Sequence, residues 1–126
     1  MTIPVWVERD IVLAIHADQI AEHGGLPSLR DHALLDSALA RPRQQAAYGA
    51  VDLCDLAAAY AFGVARNHPF LDGNKRVSFV IAAVFLQLNG LRVLASEPDV
   101  VATWLSIAAG EMEEVDIAAW LRARTR

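Results

Sequence analysis

The sequence predicts an all-α fold, a compact helical bundle of about six helices in which a charged loop joins the two most central ones. Three observations carry this reading. Hydrophobic residues make up 55% of the 126-residue chain, and much of that share is alanine, the best helix former. Caps and stop residues recur at helical intervals. The chain shows no internal repeat, no low-complexity tract and no convincing β-sheet pattern. Its length fits one domain, 1–126, with one core.

The elements follow in order. A short apolar segment, Ile3 to Val7, opens the chain. A helix follows from about Glu8 to Glu22, with Ile11, Ala14 and Ile15 near one face and Gly24-Gly25 as its stop. The loop Gly24 to Pro27 leads to Ser28, and Ser28 with Asp31 makes a weak helix N-terminal box. The second helix is expected to run to about Ala40, where Arg41-Pro42 ends it. A third begins near Asp52 and reaches about Asn67. A fourth spans about Asn74 to Leu88, closed by Asn89-Gly90. These two are apolar nearly all round, which places them inside the fold. Leu91 to Leu94 reads as extended. Ser96 caps a helix that starts around Pro98 and ends near Gly110. The last helix, about Glu113 to Arg124, has acids at its start and arginines at its end, as the helix dipole prefers.

Composition narrows the function. A formal net charge of −4 argues against a protein whose main task is neutralising nucleic-acid phosphate, so no direct nucleic-acid binding is expected. The single Cys54 cannot form an internal disulfide, and nothing suggests an oxidising compartment. Met1 to Asp10 lacks the pattern of a signal peptide. The longest apolar runs, Leu56 to Ala65 and Phe79 to Leu86, fall short of the roughly 18 residues of a membrane span. The expectation is a cytoplasmic protein.

The informative segment is His68-Pro69-Phe70-Leu71-Asp72-Gly73-Asn74-Lys75-Arg76, between the central helices. It sets four ionisable groups within nine positions and beside the core, which is costly unless they have a task. Gly73 to Arg76 should form the first turn of the fourth helix. Free N–H groups and the positive dipole end make that turn an anion site. Gly73 admits close approach to the backbone. Lys75 and Arg76 add full charge, Arg76 as a bidentate fork and Lys75 as a point charge. Asp72 beside a phosphate is unfavourable unless a cation lies between, and Mg²⁺ suits a carboxylate plus phosphate oxygens. His68 is the nearby group able to take a proton at neutral pH. Phe70 anchors the loop in the core. Together these roles describe a transfer reaction on a nucleotide phosphate.

The string HPFLDGNKR resembles the signature of Fic-domain proteins, specifically the Doc ("death on curing") toxin branch. The likeness extends to Leu29-Arg30-Asp31, to Leu34 through Pro42, to Asn89-Gly90 and to the final Trp120-Leu121 helix. It implies the Fic fold, with its active-site loop between two central helices. It implies His68 as general base, Phe70 as the structural aromatic and Asp72 as the acidic, metal-associated position. Gly73 and Asn74 would form the anion-binding turn, and Arg76 would bind phosphate. The cofactors implied are ATP and Mg²⁺.

Two positions depart from the adenylyl-transferring pattern. Lys75 stands where that pattern has Gly, and Phe79 where it has a second Arg. Both changes are similar to the Doc branch, whose implied reaction is transfer of the γ-phosphate to a threonine of elongation factor Tu, arresting translation. Adenylyl transfer from the same His68 and a catalytically inactive binding module are the alternatives. The chain has no Ser/Thr-x-x-x-Glu inhibitory spacing. Restraint is then expected from another protein, and the resemblance to the Doc branch implies a Phd-like antitoxin whose C-terminal segment folds on the toxin.

Other residues carry weaker signals. Asp72 has a second role open to it, as a helix cap, and Lys75 faces either phosphate or solvent. His16, His23 and His32 lack metal spacing and read as surface or partly buried. Cys54 reads as a small helix residue, and Trp6, Trp104 and Trp120 as core or interface. Arg122, Arg124 and Arg126 complement a helix end. Arg41 and Arg43 are open to facing either the substrate or an antitoxin.

Overall fold

The computed structural model describes residues 3–49 and 52–126. Met1, Thr2, Ala50 and Val51, which the single-domain reading includes, lie outside the described residues. Six helices follow in order: α1 Arg9–His23, α2 His32–Tyr48, α3 Leu53–Asn67, α4 Asn74–Leu88, α5 Glu97–Ala108 and α6 Glu114–Arg124. The all-α bundle expected from the sequence is the fold observed. Among the described residues, β pairing is confined to two isolated bridges, Leu29 with Phe70 and Val93 with Thr125. None of the helices is long and apolar enough to cross a membrane.

The third helix is the axis of the molecule. Leu56 to Ala61 and Val64 are fully enclosed, and α3 packs on α2, α4, α5 and α6. Its alanines let neighbours come close. The tightest approach is at Gly63, where an added Cβ would lie 3.2 Å from Cα of Ala38 on α2. Asp52 caps α3 by accepting from the Asp55 N–H at 2.8 Å. Arg122 of α6 clamps both carboxylates. Hydrogen bonds from Arg122 hold the Asp52 carboxyl below its usual value. Burial pushes the Cys54 thiol up, in keeping with a structural role.

Two boundaries and one buried face differ from the sequence reading. α2 does not stop at Ala40 but continues through Pro42 to Tyr48. Pro42 has no N–H to give the Ala38 carbonyl. That carbonyl faces Gly63 and Pro42 itself is buried, so packing on α3 offsets the lost bond. The cap of α2 is Asp31, not Ser28, with its carboxylate accepting from the Leu34 N–H at 3.0 Å. On α1 the buried stripe is Val12, His16 and Ile20, whereas Ile11 is exposed. That stripe repeats every four residues and carries a histidine among its apolar members.

The C-terminal part closes the bundle. The extended piece 91–94 pairs with the chain end, the Arg92 N–H donating to the Arg126 carbonyl at 2.8 Å and the Leu94 N–H to the Arg124 carbonyl at 2.7 Å. Trp104 on α5 is buried and donates to Ser78 Oγ at 2.8 Å. Ser78 in turn donates to the Ala61 carbonyl at 2.8 Å. This chain of bonds ties α5 to α4 and α3. Phe79 and Trp120 meet the Trp104 ring edge-on.

Candidate active site

Two left-handed residues define the loop between α3 and α4. His68 ends α3 with φ 49° and ψ 57°, its N–H still bonded to the Val64 carbonyl. Pro69 then prevents any continuation of the helix. Gly73 precedes α4 with φ 81°. Between them Phe70 turns inward and is 1% exposed, as anticipated for an anchor.

Asn74 and His16 hold the interior side of the loop. The Asn74 amide accepts from the Phe70 N–H at 3.1 Å and donates to the Phe70 carbonyl at 2.9 Å. The sequence reading gave Asn74 to the anion-binding turn. Its side chain is committed to Phe70 instead, which leaves its backbone N–H for an anion. His16 is 4% exposed, more deeply buried than its sequence context suggested. Its ring stacks on Phe70 with centroids 3.8 Å apart and planes 8° apart. Its Nε2 lies 3.0 Å from the Asp72 carbonyl, so Nε2 carries the proton and donates.

The outer side of the loop carries the charge. Asp72 is exposed. Its Oδ1 accepts from the Gly73 N–H at 2.9 Å and its Oδ2 from the Leu26 N–H at 3.3 Å. It therefore stabilises the turn and still has lone pairs free. Gly25 permits this approach, because an added Cβ there would lie 2.7 Å from Asp72 Oδ2. Among the described residues no side chain caps α4, which leaves its first N–H groups open. Lys75 and Arg76 are exposed, and neither forms an ion pair among the described residues.

Asp72 to Arg76 line one wall of a cavity of about 310 Å³, at the lower end of ligand-binding sizes. Phe79 and, from α5, Val100, Val101, Trp104 and Leu105 form the opposite, apolar wall. One end of the cavity thus suits anionic oxygens and the other a flat ring. The structure brings Asp72, Gly73, Asn74, Lys75 and Arg76 together. His68 stands outside this lining, exposed, with no side-chain hydrogen bond among the described residues. Its ring nitrogens are open to an incoming hydroxyl.

The residues present fit a Mg²⁺–nucleotide. Among the described residues no group of three His, Cys, Asp or Glu side chains could hold a metal alone. Among the described residues Asp72 is the one carboxylate lining the cavity, and Mg²⁺ typically binds through one or two carboxylates together with phosphate oxygens and water.

Several contributors were not singled out from the sequence. Gly25 and the α5 wall required the fold, while His16 could have been found from its four-residue spacing to Val12 and Ile20. Arg30 was quoted only as part of a resemblance. Its Nε donates to the His68 carbonyl at 2.7 Å and its second guanidinium nitrogen to the Asn67 carbonyl at 2.9 Å. Arg41 and Arg43 pair with Glu114 and Glu8.

The chain is similar in sequence to known proteins. The model of the Fic/DOC family matches residues 6–86, from the apolar opening segment through most of α4. The chain is 33% identical over 117 residues to the "Protein kinase doc" of Escherichia phage P1, covering 92% of each chain. It is 46% identical over 94 residues to the "Toxin Doc" of Mycolicibacterium smegmatis, covering 71% of this chain and 68% of that relative. On the family match over residues 6–86 and the likeness to these two Doc proteins, the chain belongs to the Fic/DOC family and is a Doc-type member of it.

Proposed function

We propose that the chain is the toxin of a toxin–antitoxin pair and a protein kinase, transferring the γ-phosphate of ATP to a hydroxyl of a target protein. The observation that carries this reading is the pairing of an unencumbered His68 with an uncapped helix N-terminus bearing Lys75 and Arg76. The likeness to a protein named a kinase, along 92% of both chains, supports it. By resemblance the target is a threonine of elongation factor Tu, the consequence is arrested translation, and the setting is the cytoplasm.

When bound, Mg²⁺–ATP supplies the transferable phosphoryl group and a divalent charge that spreads over its oxygens. The chain's own residues do the rest. A ring nitrogen of His68 takes the proton of the acceptor hydroxyl and returns it to solvent. The N–H groups of the α4 first turn, Lys75 and Arg76 hold negative charge in place. Asp72 would hold the cation. Lys75 and Phe79 favour transfer of the outer phosphate. Both line the cavity, at the positions where the adenylyl-transferring pattern has Gly and Arg.

The partner proposed is a Phd-like antitoxin. A groove of about 460 Å³ continues from the cavity between α4 and α5, sharing Arg76, Phe79, Val100 and Val101 with it. Val101, which lines both, and Leu105, in the cavity, each expose about half their surface. An amphipathic antitoxin segment laid in this groove would cover Val101 and reach the cavity.

The test uses purified protein, Mg²⁺, elongation factor Tu and ATP labelled at either the α- or the γ-position. Label retained on the target from the γ-position alone, and abolished by His68→Ala, is the expected result. Label from the α-position would mean adenylyl transfer. Transfer that survived His68→Ala would remove the assigned base.

A further inference from the structure

We propose that Arg30 is a positioning residue for His68, whose guanidinium fork fixes the left-handed backbone that presents the imidazole. The proposal rests on His68 being the base.

Among the described residues, His68 alone has positive φ without being glycine. An L-residue in this region is costly by about 1–2 kcal/mol, with histidine among the more tolerant types. Such strain persists only where surroundings over-determine it, and it gathers at functional positions.

The surroundings here are specific. Three successive carbonyls, of Asn67, His68 and Pro69, are all taken by Arg30 and Asp31. Arg30 Nε donates to the His68 carbonyl and its terminal nitrogen to the Asn67 carbonyl. The backbone N–H groups of Arg30 and Asp31 both donate to the Pro69 carbonyl, at 2.7 and 3.0 Å. The carbonyls of residues 67 and 68 belong to the two peptide planes that flank the His68 Cα. Holding both with one planar group fixes φ and ψ of His68 together, which a single flexible ammonium cannot do. The positive charge also sits at the C-terminal end of α3, where the dipole favours it.

Stability alone does not account for this. Glycine at 68 would adopt the same backbone without help. Arg30 is exposed, so its bonds add little to the fold as a whole. The phosphate-binding turn has separate supports, Asn74 on Phe70 and His16 on Asp72. Loss of the fork should therefore move the base and leave nucleotide binding alone.

The experiment compares wild type, Arg30→Met and Arg30→Lys. In nucleotide-free protein, NMR reads the His68 Cα chemical shift, which reports its backbone conformation. In the transfer assay, kcat and KM for ATP are measured. For Arg30→Met the expected result is loss of the left-handed shift and a kcat lower by about 10- to 100-fold, with KM for ATP within about two-fold. Arg30→Lys should fall between. A retained left-handed shift in Arg30→Met, or a kcat within about two-fold of wild type, overturns the proposal. A fall in melting temperature with kcat and KM moving in step would overturn it too, by making Arg30 merely structural. If Arg30→Met does not fold, Arg30→Lys decides by the same readings. If wild type transfers no phosphate, the kinase reading fails, and the His68 shift alone decides whether Arg30 holds this backbone.

Discussion

The two ends of the active loop solve one backbone problem with different residues. At the α4 end the left-handed position is Gly73, where an added Cβ would lie 3.4 Å from Ile20 Cδ1. That distance is an ordinary contact, so glycine there answers conformation. At the α3 end the left-handed position is His68. Glycine would answer the conformation equally well, yet an imidazole stands there, and Arg30 and the backbone of Asp31 hold the carbonyls around it. The contrast teaches that position 73 is dictated by geometry and position 68 by the side chain it must carry.

Exchanging residues at these two ends sharpens the comparison. Gly73→Val has the largest expected effect on stability. A β-branched residue at φ 81° is a steric outlier, and its methyls would press on Ile20. A loss of about 2–3 kcal/mol is expected, read as a lower midpoint in denaturant, together with weaker ATP binding. His68→Gly goes the other way, because relief of strain should raise stability by about 0.5–1 kcal/mol. The smallest effect lies away from the loop. Hydrogen bonds from Arg122 lower the Asp52 carboxyl below its ordinary 3.8. A lowered carboxyl adds stability that is present above the unfolded value and is lost as pH falls through the folded one. Arg122→Ala should therefore melt slightly below wild type at about pH 7, and the gap should close towards about pH 3. A gap that widened in acid would contradict this pairing.

Much of the fold was legible because its signals are local. A start near Asp52, Asn89-Gly90 as stop and Ser96 as cap bound α3, α4 and α5 close to where they are observed. What was not legible depends on packing. Pro42 reads as a helix end by itself, and only the approach of α3 at Gly63 shows why the helix carries on. The candidate site divides the same way. His68, Asp72 and the turn from Gly73 to Arg76 sit in one stretch of sequence, so their chemistry could be read together. His16 and Arg30 reach that stretch from 56 and 38 residues away. A histidine between Val12 and Ile20, and an arginine at the head of α2, acquire their roles only when α1 and α2 are folded against the loop.

The central claim is that the imidazole at 68 is kept, in a backbone that glycine would fill more easily, for proton transfer. It is tested most directly by measuring γ-phosphate transfer and thermal melting of His68→Gly beside wild type. The account predicts that melting is unchanged or raised while transfer is lost, by about 10²-fold or more. A His68→Gly protein that transfers phosphate at the wild-type rate would contradict it.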